Sequence, residues 1–115
     1  MNEDCIFCRI SRGETPAEFL YQDDHVVVVR DIAPQAPHHL LIIPRRHIPT
    51  IMDLTEEDGG LLDAVYRAAG ATAVDLGFAG KGFRVVVNCN EDGGQTVWHL
   101  HFHLLGGRRL AWPPG

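Results

Sequence analysis

Apolar and polar residues recur along this chain with two periods, and those periods predict its elements. Cys5-Ile6-Phe7-Cys8-Arg9-Ile10 sets Ile6 and Ile10 four residues apart with Phe7 beside them. That is one apolar face of a short helix, which Gly13 is placed to end. Thr15-Pro16 reads as a turn and Phe19-Leu20-Tyr21 as a short strand. Asp23-Asp24 is a tight connection, and the four consecutive valines within His25 to Arg30 favour a buried strand. Two prolines make Asp31 to Pro37 a loop. His39 to Ile43 is a further apolar strand stopped by Pro44, and Arg45 to Pro49 turns out of it. Thr55, three residues ahead of Asp58, has the spacing of a helix N-cap with an acidic partner. Leu61, Leu62, Val65, Ala68, Ala69, Thr72 and Leu76 then recur at helical spacing up to a C-cap at Gly77. Gly80-Lys81-Gly82 is a loop and Phe83 to Asn88 a strand. Glu91-Asp92-Gly93-Gly94-Gln95-Thr96 reads as a polar, glycine-bearing loop able to bring backbone N–H groups near a ligand.

The clearest pattern is His99-Leu100-His101-Phe102-His103-Leu104-Leu105, where imidazoles alternate with large apolar residues. Alternation with period two predicts a strand whose histidines share one face and whose apolar residues share the other. Gly106-Gly107 ends it. The tally of five strands, one long helix and a short N-terminal helix, joined mostly by loops, predicts an α+β fold with a mainly antiparallel sheet.

Composition narrows the function without naming it. A chain of 115 residues has room for one domain, 1–115, in which residues 106–115 form a proline-rich tail. Fifteen acidic against ten basic residues give a net charge of −5, which argues against a nucleic-acid binder relying on a broad basic surface. One small phosphate-bearing ligand remains compatible, because it needs only local donors. Neither a secretory signal nor a membrane span is evident, so the cytoplasm is the default location. The three cysteines fit a disulfide framework poorly. The Cys5-x-x-Cys8 pair suggests metal or redox chemistry instead, and the βαβ context of a redox pair is missing. Arg45-Arg46 and Arg108-Arg109 read as solvated edges, His25 and His38 as ordinary polar residues, and Cys89 has no assigned role.

Three imidazoles on one face after a glycine-bearing loop admit two uses. A His-x-His pair can hold a metal that activates water, or one neutral imidazole can attack an electrophile directly. The whole constellation resembles the histidine triad family of nucleotide hydrolases and transferases, whose signature of three histidines spaced by apolar residues matches residues 99–105 at every position. Asp31-Ile32-Ala33-Pro34-Gln35-Ala36-Pro37-His38-His39, Gly93-Gly94-Gln95-Thr96 and Trp112-Pro113-Pro114-Gly115 resemble its Hint branch, so the likeness covers nearly the full chain.

That resemblance implies a HIT-like fold and cleavage of purine nucleoside phosphoramidates through a nucleotidyl-histidine, with His101 as nucleophile. It implies phosphate contacts from Asn88, His103, Thr96 and backbone N–H groups around Gly94 and Gln95, with His39 beside them. Asp31 is implied to hold the ribose hydroxyls, and Ile6, Phe7, Ile10, Val29 and Ile32 to sandwich the base. The branch usually has Ser at the Thr96 position and often an aromatic at the Val29 position, so leaving-group preference and base stacking are expected to differ here. Some bacterial members pair a Cys-x-x-Cys with a histidine after the third strand and with the first triad histidine. Here these are His47 and His99, implying a structural zinc at Cys5, Cys8, His47 and His99 that catalysis does not need. The branch is dimeric, with the tail, including Trp112, reaching towards the partner's site. Hydrolysis of dinucleoside polyphosphates or other nucleotidyl esters, and a nucleotide-binding scaffold role, are the alternatives.

Overall fold

The computed structural model describes residues 4–115, and the acidic start Met1-Asn2-Glu3 lies outside the described residues. Ten elements follow one another, beginning with helix α1 (Ile6–Ser11), then strands β1 (Tyr21–Gln22), β2 (Val26–Arg30) and β3 (His38–Pro44). Two 3-10 turns, Ile51–Asp53 and Glu56–Asp58, lead into helix α2 (Gly59–Asp75). Strand β4 (Phe83–Val86), helix α3 (Asn90–Gly93) and strand β5 (Phe102–Gly106) complete the chain. The five strands form one sheet in the order β1-β2-β3-β5-β4, and every pairing is antiparallel. The α+β expectation with a long and a short N-terminal helix is therefore met.

β3 is central, and its pleat sorts side chains between two apolar layers. Leu40 and Ile42 join Val26, Val28, Phe102 and Leu104 under Leu61, Val65, Ala68 and Ala69 of α2. Leu41 and Ile43 join Val27 and Val29 on the opposite face, where Phe7 of α1 covers them. The valine run is buried on both faces, the pattern of a strand covered on two sides. Each such side chain is worth about 1.5–3 kcal/mol when fully buried, so the sheet register is strongly specified. His39 opposes Leu105, and Leu41 opposes His103.

Several boundaries differ from those expected. β1 starts at Tyr21, although the Leu20 N–H still reaches the Val28 carbonyl at 2.9 Å. Thr55 and Asp58 do form a capping box, but around a 3-10 turn, and α2 begins only at Gly59. A second capping box, Thr50 with Asp53, holds the turn before it. β4 ends at Val86 rather than Asn88, and Asn90–Gly93, which takes in the first three residues of the expected loop, is helical. The largest correction concerns the histidine strand, whose ladder starts only at Phe102. His99 and Leu100 leave the ladder because the Leu100 N–H donates to the Ile48 carbonyl at 2.6 Å. The His99 ring is drawn down to the end of β3.

His38 is not an ordinary surface residue. Its ring stacks on Phe78 with centroids 4.5 Å apart and planes within 17°. The same Phe78 ring lies over the end of β5, where a Cβ at Gly106 would meet it at 2.4 Å. We expect Gly106→Ala to lower unfolding stability by about 1–3 kcal/mol, read by denaturant unfolding. The penalty should shrink in a Phe78→Leu background, and an equal penalty in both backgrounds would exclude this packing as its cause.

Candidate active site and metal cluster

One cavity of about 350 Å³ opens on the α1 face of the sheet. Ile6, Phe7 and Ile10 of α1 form one apolar wall, and Val29 and Leu41 of the sheet form its floor. Asp31 and Ile32, just past β2, border it on one side, while Asn88, Gly94, Thr96 and Val97 border it on another. His101 and His103 close it. The predicted base-contacting and phosphate-contacting residues are thus largely brought together. Leu41 and Val97 were not singled out from the sequence. Leu41 was legible, because it stands two residues from His39 on an alternating strand.

Gln95 and Trp112 are not among the residues that line the cavity. The Gln95 carboxamide is committed to the loop: its Oε1 accepts the Asn90 N–H at 2.9 Å, and its Nε2 donates to the Pro49 and Val97 carbonyls at 2.8 and 3.1 Å. The backbone N–H groups of Gly94 and Gln95 likewise close the α3 terminus onto Glu91 and Asn90. Gln95 therefore shapes the loop, and Gly94, at φ +84°, turns it. Trp112 is 82% exposed, and its tail is held by Arg84 donating to the Leu110 and Ala111 carbonyls. It does not line the cavity of its own chain.

The hydrogen bonds assign a proton to each imidazole, because a carbonyl only accepts and a backbone N–H only donates. His101 Nδ1 lies 2.8 Å from the His99 carbonyl, so Nδ1 carries hydrogen and Nε2 keeps its lone pair when the ring is neutral. Phe7 packs edge-on against that ring at 5.0 Å. The Gln35 N–H donates to His39 Nδ1 at 2.9 Å, which leaves the proton on His39 Nε2. That N–H points to His103 Nδ1 at 2.9 Å, with Asp31 Oδ2 at 3.4 Å. His103 Nδ1 therefore accepts, and its Nε2 carries the remaining hydrogen. Asp31 Oδ1 meanwhile accepts the Ala33 N–H at 2.8 Å, so this carboxylate both caps the loop and faces the site.

A second constellation lies behind the cavity. Cys5 and Cys8 flank the start of α1, where the Cys5 sulfur accepts the Cys8 N–H. His99 Nδ1 lies 3.3 Å from Cys5 Sγ, 3.5 Å from Cys8 Sγ and 3.2 Å from His47 Nδ1. Cys8 Sγ lies 3.3 Å from His47 Nδ1. His99 Nε2 donates to the Pro44 carbonyl at 2.7 Å, which leaves the Nδ1 lone pair aimed at the cluster. Burial pushes His99 down to about 4, against the Pro44 carbonyl, while His47 and His101 push the same way as burial. These four donors could hold a metal ion. Asp31, His39 and His103 also lie close enough together, but His39 Nε2 is occupied by its proton for as long as Gln35 donates to Nδ1. The hydrogen-bond pattern favours a ligand set at the first cluster and a proton-bearing chain at the second.

Burial holds His103 below the ordinary histidine value, as do the neighbouring His101 and His39, while Asp31 pulls it up. We expect the His103 resonance in NMR titrations to move at a pH below 6.5, and lower still in Asp31→Asn. Because the unfolded chain binds the extra proton first, this residue makes stability fall as pH drops from 6.5 through the folded value. A His103 midpoint at or above 6.5 would contradict the site's described burial.

Comparison with known proteins follows the same outline. A family model described as scavenger mRNA decapping enzyme C-term binding matches residues 4–109. The chain is 49% identical over 115 residues to an uncharacterized HIT-like protein of Synechococcus elongatus, covering all of both chains. It is 47% identical over 111 residues to the purine nucleoside phosphoramidase of Escherichia coli, covering 96% of this chain and 93% of the other. The crystal structure of a HIT family hydrolase from Legionella pneumophila matches with a TM-score of 0.93 and 49% identity, covering 96% of this chain and 99% of the other.

Proposed function

Because the chain belongs to the histidine triad (HIT) family of nucleotide hydrolases, we propose that it cleaves the P–N bond of purine nucleoside phosphoramidates through a nucleotidyl-histidine. The observation that carries this reading is the His101 tautomer. Its Nδ1–H is tied to the His99 carbonyl, which leaves Nε2 as a nucleophile at the edge of a nucleoside-sized apolar cavity. The phosphoramidase relative at 47% identity supports the reaction type.

In the proposed mechanism the base lies between α1 and the floor residues Val29 and Leu41. The ribose hydroxyls meet Asp31, whose carboxylate suits a vicinal diol as acceptor. His101 Nε2 attacks the α-phosphorus, and charge growing on the phosphoryl oxygens is met by the Nε2–H of His103 and the Asn88 amide. His39, held by Gln35, keeps the His103 proton on the phosphate side. The Thr96 hydroxyl borders the cavity where the departing amine must gain a proton. Water then attacks phosphorus and the P–Nε2 bond breaks, which restores the imidazole. No step requires a metal.

The Cys5–Cys8–His47–His99 cluster is proposed to bind structural zinc. Tetrahedral zinc sets N···N edges of about 3.3 Å and N···S edges of about 3.6 Å, close to the 3.2 Å and 3.3–3.5 Å found here. Zinc would tie α1 to the ends of β3 and β5, with no position left open for water. A homodimer is also proposed, across the outer strand β4 and the exposed Tyr66 and Val74 of α2, where apolar side chains lack cover in one chain. Among the described residues no helix is long and apolar enough to cross a membrane. The cytoplasm is proposed as the location, since an odd number of cysteines fits a disulfide framework poorly.

His101→Ala should reduce turnover of adenosine 5′-phosphoramidate by at least about 10⁴-fold, while the wild type should yield a trappable nucleotidyl-protein. Retained turnover in the variant would remove His101 as nucleophile, and a wild type that binds nucleotide without turnover would favour a scaffold. Elemental analysis should find one zinc per chain in protein purified without chelator. Cys8→Ala should lose the metal and melt at lower temperature, and a metal-free wild type would reject the zinc site.

A further inference from the structure

Arg108, expected to be part of a solvated edge, is exposed yet engaged. Strand β5 ends at Gly106, and the chain turns at Gly107, whose φ of +91° suits glycine. A Cβ there would meet Pro37 Cβ at 2.8 Å and His38 Cδ2 at 3.1 Å, so the turn lies directly against the loop between β2 and β3. That close approach brings Arg108 to the middle of the loop. Its Nη2 and Nε donate to the Gln35 carbonyl at 2.9 and 3.3 Å, and its Nη1 donates to the Arg109 carbonyl at 3.1 Å. Among the described residues no carboxylate pairs with it. The rigid guanidinium fork is spent on the main chain, with two donors on one oxygen.

We propose that Arg108 is a positioning residue for the phosphate-contacting proton of the site, acting through Gln35, His39 and His103. The Gln35 N–H is what confines the His39 proton to Nε2. Arg108 holds Gln35 from outside and keeps that N–H aimed at His39 Nδ1. The His39 Nε2–H then donates to His103 Nδ1, which leaves the His103 hydrogen on Nε2. Once Gln35 shifts, His39 Nδ1 loses its donor and the pair can reverse. His103 Nδ1–H then donates to His39 Nε2, His39 carries its hydrogen on Nδ1, and each ring still has one proton. A lone pair on His103 Nε2 now faces the phosphoryl oxygens, so a donor has become a repelling acceptor.

The effect on turnover rests on the phosphoramidase reading, whereas the effect on the two rings does not. Asp31 is anchored separately, its N–H donating to the His39 carbonyl at 3.0 Å and its Oδ1 accepting the Ala33 N–H at 2.8 Å. Losing Arg108 should therefore act on charge growing at phosphorus more than on binding of the ribose.

The test uses three variants. Arg108→Met keeps the stem and removes the donors, Arg108→Lys restores one donor group, and Arg109→Ala removes a neighbouring charge that holds no part of the loop. Imidazole 15N shifts are read at about pH 8.5, two units above the ordinary histidine pKa. Wild type and Arg109→Ala should show Nε2–H at His39 and His103, and Nδ1–H at His101. Arg108→Met should show mixed tautomers at His39 and His103 with His101 unchanged, and Arg108→Lys should fall between. With adenosine 5′-phosphoramidate, Arg108→Met should lower kcat about tenfold, the scale of one hydrogen bond to a charged group, and leave KM within about twofold. Wild-type tautomers in Arg108→Met would overturn the proposal whatever kcat does, as would an equal loss of kcat in Arg109→Ala. Mixed tautomers with full kcat would overturn any bearing of Arg108 on the reaction. If Arg108→Met fails to fold or loses the His101 tautomer as well, Arg108→Lys decides. Mixing confined to His39 and His103 then supports the proposal, and unmixed rings reject it. If wild type turns over no phosphoramidate, the phosphoramidase reading fails and the 15N shifts judge Arg108 alone.

Discussion

A carbonyl oxygen can only accept and a backbone N–H can only donate. Three such groups, the carbonyls of Pro44 and His99 and the N–H of Gln35, decide what the site histidines of this chain can do. Each fixes one nitrogen of a ring and so defines the other. His99 is left with a lone pair among two sulfurs and a third donor, His101 with a lone pair at a cavity, and His103 with a hydrogen to give. Side chains of one type acquire three chemistries because three different backbone groups set their protons, the third acting on His103 through His39.

Those backbone groups stand where they do because β3 is central. Its end carries Pro44, the acceptor for His99, and its alternate residues supply both apolar layers and His39. The same strand pairs with β5 and brings Leu41 opposite His103. Shifting the register by one residue would send His39 into the α2 layer and Leu40 into the site. Stability and the geometry of the candidate site are therefore specified by the same pairing. A metal at the cysteine cluster would act on the same frame from outside, since its four donors come from the start of α1, the turn after β3 and the approach to β5.

Much of this was readable from local pattern. The valine run, the helical spacing from Leu61 to Leu76 and the alternation around His101 report burial directly, and family resemblance assigned roles to most cavity residues. Gln95 illustrates what the pattern missed. Nothing in its surroundings indicates that its amide is consumed by Asn90, Pro49 and Val97, because Pro49 is 46 residues away. His38 illustrates it again: it stands next to His39 in sequence, yet the pleat turns it to the opposite face, onto Phe78.

By itself the sequence determined the fold class and the buried valine strand, since each is a matter of residue type and period, while resemblance to the family supplied His101 as the proposed nucleophile and the four candidate metal donors. Only the tertiary structure decided that the ladder begins at Phe102, that His99 turns from its neighbours towards the cysteines, and which nitrogen of each ring is protonated. Those outcomes depend on contacts between residues 35 and 39, 44 and 99, and 48 and 100. Two of these three contacts span about half the chain, beyond the reach of any periodicity, and all three depend on the directionality of single hydrogen bonds.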